Sequence, residues 1–150
     1  MILSIQEISD RFEIQDLCYR YAQLIDAKQF DELREVFTED AHIDYSVFGG
    51  AVGGLEDIIQ FLKDAMGIFP YTQHLNANIQ ITVNGDTAEG RVMCFNPQEM
   101  DLGEGSDNIT FILGLWYVDK YHRTKDGWRI KQRVEEKSWK FNTPDFMGLD

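Results

Sequence analysis

The chain has 150 residues, enough to bury one good hydrophobic core and too few for a second domain to be expected. With 43% hydrophobic residues, 13% aromatics and three prolines, the composition excludes a disordered or fibrous chain. The 26 acidic against 14 basic residues give a formal charge of -12, which repels nucleic-acid phosphates and anionic lipid surfaces, so neither partner is expected.

The opening segment MILSIQEISD lacks the basic start and long apolar stretch of a secretory signal, and no uncharged apolar run approaches the roughly 18 residues of a membrane span. A cytoplasmic protein is expected. Cys18 and Cys94 fall on a predicted helix and strand without metal-ligand spacing, which reads as two reduced core thiols.

Ser4 to Glu7 fits a capping box, and Ile5, Ile8, Phe12, Ile14, Leu17, Tyr21, Leu24 and Ile25 keep helical spacing, which predicts a long helix over about 5–27, broken at most once. A second, short helix is predicted over 29–37. The period then changes to two, and Ala41, Ile43, Tyr45 and Val47 alternate with His42, Asp44 and Ser46 as in a strand. Gly49, Gly50, Gly53 and Gly54 mark a turn region. Residues 55–66 place Leu55, Ile58, Ile59, Leu62 and Met66 on one helical face.

Strands are then predicted over 71–83, 87–99, 109–122 and 128–139. They are separated by the hairpin signal Asn84-Gly85-Asp86, a loop at 101–108 and a turn at Lys125-Asp126-Gly127. The last eleven residues read as a loop or flap. Helices followed by an antiparallel meander give an α+β domain, a half-open cone in which a strongly curved antiparallel sheet wraps the helices and leaves a cavity.

Two residues stand out chemically. Asp26 ends the first helix below a stripe of small side chains, Cys18 and Ala22, and a buried carboxylate there needs a partner. His74, in YTQHLNAN, is such a partner: a carboxylate on one ring nitrogen leaves the other free to take a proton. The plain alternatives stay open, Asp26 as a helix terminator near solvent and His74 on an exposed polar strand face with Asn76, Asn78 and Gln80. If His74 points inward, a bulge or strong twist must separate it from Asn78 and Gln80.

The stretches IQDLCYRYAQLIDAKQFDELREVFTEDAHIDYSVFGG, YTQHLNANIQITVNGDTAEG and YVDKYHRTKDGWRI resemble the SnoaL-like branch of the nuclear transport factor 2-like superfamily. Within it the chain is similar to scytalone dehydratase and hexachlorocyclohexane dehydrochlorinase. The resemblance spans about residues 8 to 139, and it implies the cone fold and a base dyad of Asp26 and His74. It also implies that Tyr45 polarises a substrate carbonyl through water and that Phe48 forms a pocket wall. In addition it implies a homo-oligomer, a trimer before a dimer.

The sequence departs from the dehydratase pattern after Pro97, where Gln98 stands in place of a second histidine and has no proton to give at neutral pH. Arg123 is a loose match for the dehydrochlorinase arginine. Beyond the dyad, Met66, Phe69 and Trp116 are expected to exclude solvent, and Asn96 and Gln98 to orient the leaving group.

Asp40, His42 and Asp44 alternate as on a solvated edge, so no metal is expected, and no phosphate-binding glycine loop is present. The expectation is a cofactor-independent lyase acting on a small hydrophobic or cyclic molecule. The alternatives are a ketosteroid isomerase-like or polyketide cyclase-like enzyme, or a non-catalytic assembly module like the small subunit of ring-hydroxylating dioxygenases.

Overall fold

Ser4 opens the first helix as a capping residue, its hydroxyl accepting from the Glu7 amide at 3.1 Å. In the computed structural model, which describes residues 2–149, this helix (α1) runs unbroken over Ile5–Asp26. It ends where Lys28 turns left-handed and the Gln29 amide reaches back to the Leu24 carbonyl. A 3-10 turn follows at Phe30–Glu35, in place of the short helix expected.

Strand β1 occupies Phe37–Asp44, earlier than its alternation suggests. Tyr45 leaves it and Ser46–Phe48 form another 3-10 turn, so the expected strand residues Tyr45 and Val47 lie outside the sheet. A short β2 (Val52–Gly54) pairs back on β1 and leads into α2 (Leu55–Ala65), whose Leu55, Ile58, Ile59 and Leu62 are buried as its spacing predicts.

The remaining strands are β3 (Tyr71–Thr72), β4 (Leu75–Asn84), β5 (Thr87–Met100), β6 (Ile109–Thr124) and β7 (Gly127–Phe141). They form one curved seven-stranded sheet in the order β2-β1-β7-β6-β5, with β3 and β4 both on β5. The meander is antiparallel throughout, but β1 joins it by running parallel to β7. That pairing was not legible in the local pattern, because it links segments some ninety positions apart, as in the pair Ile43 and Arg133.

Helix α1 packs across β4 and β7, and α2 covers β1. Between them lies the core, including Ile14, Leu24, Leu33, Ile43, Ile58, Phe111 and Ile130. The strands curve at four register shifts, one between β1 and β7, one within β4 and two between β6 and β7. No helix among the described residues is long and apolar enough to cross a membrane.

Candidate active site

The bulge in β4 answers the question raised by His74. Asn78 adopts a left-handed φ of 46°, and the pairing with β5 slips between Ala77 and Gln80. Before the bulge the even positions face inward, with Asn76 donating to the Cys18 carbonyl at 3.0 Å; after it the odd ones do, and Ile81 is buried. Leu75, between the inward His74 and Asn76, is exposed. One extra residue thus lets a strand carry an inward histidine and an inward apolar run.

His74 Nδ1 lies 2.6 Å from Asp26 Oδ1. Asp26 also accepts from the His74 amide at 2.9 Å and from the Thr72 hydroxyl at 3.0 Å, so three donors fix the carboxylate. Burial by itself would raise this carboxyl, but the hydrogen bonds and charge from His74 prevail and hold it below the usual carboxylate range. Bonded through Nδ1–H, the ring keeps the Nε2 lone pair free. Tyr21 meets it edge-on, with ring centroids 6.4 Å apart.

The histidine borders a cavity of about 460 Å³ between α1, α2 and the sheet. The wall is mainly apolar, formed by Ile25, Phe48, Phe61, Leu62, Met66, Phe69, Leu113, Leu115 and Met147. Its polar groups are few, as in pockets that orient an apolar ligand. Tyr45 and Tyr21 share a hydrogen bond of 2.7 Å, and burial pushes the Tyr45 phenol well above its ordinary range and that of Tyr21 up to about 12. Gln98 donates to Asn96 Oδ1, and Asn96 donates to the carbonyl of Gln73, next to the base.

Structure therefore brings Asp26, His74, Tyr45, Phe48, Met66, Phe69, Asn96 and Gln98 together. Trp116, expected on the wall, is not part of it. Its side chain alternates with the inward Leu115 and Tyr117 and lies on the outer face, where the Arg91 guanidinium stacks 4.7 Å from the ring centroid. Arg123 is likewise elsewhere, held in a bidentate pair with Asp10 at 2.8 Å and over the Trp128 ring.

Asp40, His42 and Asp44 do not converge. Asp40 pairs with Lys131, Asp44 accepts from the Ser46 amide, and no cluster of three such ligands occurs among the described residues. Cys18 and Cys94 are buried free thiols, pushed by burial to about 11 and about 12, the behaviour of inert core cysteines.

Two residues on β7 were missed. Arg133 is fully buried, bonded to Asp119 at 2.6 and 2.9 Å, and sandwiched between the rings of Tyr21 and Tyr117 at 4.1 and 4.0 Å. Two positions on, Glu135 lines the cavity. Burial pushes its carboxyl up to about 8, the nearby Arg133 opposing and Asp44 assisting. Simple alternation from Trp128 and Ile130 assigns residues 133 and 135 to the outside; the shift near Lys120–Tyr121 reverses the parity. No local signal set them apart, because β7 carries charged residues along most of its length.

A SnoaL-like domain model matches residues 6–134. The chain belongs to the SnoaL-like domain family. An uncharacterised protein of Mycobacterium tuberculosis is 47% identical over 136 residues, 91% of this chain and 90% of that one. Among solved structures, a candidate scytalone dehydratase from Novosphingobium aromaticivorans is 22% identical with a TM-score of 0.79, covering 91% of this chain and 89% of that one. A hexachlorocyclohexane dehydrochlorinase is 18% identical with a TM-score of 0.78, covering 91% and 90%. At these identities the structural likeness is one of fold, and this SnoaL-like chain shares the nuclear transport factor 2-like architecture with both.

Proposed function

We propose that this SnoaL-like protein is a cofactor-independent lyase that removes a carbon-bound proton from a small cyclic substrate and expels a neighbouring hydroxyl or halide. One observation carries the reading: the Asp26–His74 pair at 2.6 Å borders a largely apolar cavity of about 460 Å³. An imidazole oriented by a carboxylate is a competent base near neutral pH and supplies about 10² to 10⁴ in rate. Tyr45, backed by Tyr21, donates a hydrogen bond to the oxygen on which enolate charge develops. The apolar wall excludes water from that charge. The named activities of the two structural neighbours, dehydratase and dehydrochlorinase, fit the same proton abstraction.

The test is a panel of cyclic hydroxyketones and halogenated rings analysed by product mass. Loss of water or halide supports the lyase; a product of unchanged mass points to the isomerase alternative. His74→Ala is expected to lower turnover by at least about 100-fold and Asp26→Asn by about 10- to 100-fold. Activity untouched by both variants sinks the dyad.

We further propose a homo-oligomer, with a trimer favoured. Support comes from the outer sheet face, where the exposed Phe95 and Trp139 rings meet at a tilt, centroids 5.9 Å apart.

A further inference from the structure

We propose that Glu135 is the acid of the reaction, giving its proton to the departing hydroxyl while His74 withdraws the proton from carbon. The proposal rests on the lyase reading above and supplies what Gln98 cannot, a proton for a poor leaving group.

Three observations support it. Glu135 lines the same cavity as His74, and its carboxyl takes no hydrogen bond from any described residue, while Arg133 on the same strand directs its Nε and Nη2 to Asp119 on β6 and leaves its buried Nη1 without a hydrogen-bond partner. Asp64, the other carboxylate along the cavity, is exposed at the mouth and accepts from Gln60. A carboxyl facing an apolar chamber without a partner is more stable neutral than charged, so it stands ready as a donor at neutral pH.

The groups that face Glu135 agree with this state. Tyr21 from α1, Tyr45 after β1 and Tyr117 from β6 are phenols held neutral by burial. Cys94 from β5 is a buried neutral thiol, and Asp44 on β1 repels a negative charge at Glu135. The His74 imidazole borders the same cavity. Arg133 on the same strand favours the charged form, but its ion pair with Asp119 offsets part of that pull and burial outweighs the rest.

The step balances. His74 Nε2 takes the proton, and the C–H electron pair becomes the second bond of the new C=C. The C–O bond breaks with its pair on oxygen, which accepts the Glu135 proton and leaves as water. Imidazolium and carboxylate remain, and water entering as product departs carries the proton back from one to the other.

The experiment compares a β-hydroxytetralone with its β-chloro analogue, both of which yield a naphthol by elimination, with rates taken above the buffer background. Chloride leaves without a proton. Glu135→Gln is expected to slow loss of water by about 100-fold and to leave loss of chloride within about two-fold, which also shows that the variant is folded. His74→Ala abolishes both. In the wild type, loss of water falls as pH rises through about 8 while loss of chloride does not. Equal effects of Glu135→Gln on the two substrates, or none on either, overturn the Glu135 assignment and leave the lyase reading standing. Failure of the wild type to convert either tetralone overturns both.

Discussion

A neutral glutamic acid in a cavity has a thermodynamic signature as well as a chemical one. The folded chain holds this proton up to about pH 8, whereas the unfolded chain releases it near 4.5, so between those values folding takes up a proton. Stability contributed by this residue is therefore complete below the lower value and declines as pH rises through the window. Glu135→Gln removes the decline: its melting temperature is expected to match the wild type near pH 4.5 and to exceed it near pH 9, read by calorimetry at both. The neighbouring Arg133 behaves oppositely. Its charge is balanced within the protein, and Arg133→Met leaves Asp119 buried with no cation, an imbalance expected to cost about 3–5 kcal/mol in denaturant unfolding.

Bulges decide which side chains reach the chamber. Asn78 is the hinge of the first: its φ of 46° suits Asn or Gly and strains a β-branched residue by about 1–2 kcal/mol. Asn78→Gly is expected to retain stability and any turnover, and Asn78→Val to lose about 1–2 kcal/mol of stability and much of its turnover, since the penalty falls on the turn that aims His74; thermal melts and rates on one preparation check this. Sequence reasoning could foresee that bulge because two chemical arguments conflicted there, an inward histidine and an apolar run of opposite parity. No such conflict marked β7, and nothing in the local pattern singled out Glu135. Trp116 failed for the converse reason: aromatic size argued for a wall position, but its parity on β6 places it outside. Helices α1 and α2 and the hairpin at Asn84-Gly85 were legible because capping, spacing and turn chemistry are local signals, whereas the Asp26–His74 contact, left open by the residues alone, was what the family resemblance implied.

At the scale of the molecule, the outer sheet face carries the test of assembly. Phe95, Gly114 and Trp139 are cross-strand neighbours, and a methyl on Gly114 would sit 2.3 Å from the indole. Gly114→Ala therefore drives Trp139 off the sheet. If this face joins protomers, the wild type sediments at three times the mass of one chain and the variant dissociates. A wild type that sediments as a monomer removes the assembly proposal.

The parallel seam between β1 and β7 has a consequence for biosynthesis. Tyr45 is translated early, but the strand that secures its neighbourhood and delivers Glu135 emerges some ninety codons later. A nascent polypeptide halted before residue 127 can form α1 and the first hairpins, yet it leaves one flank of β1 open and lacks Glu135 altogether. Competence thus arrives in a single late event, and prematurely terminated products are expected to be both inert and prone to clump through that bare flank.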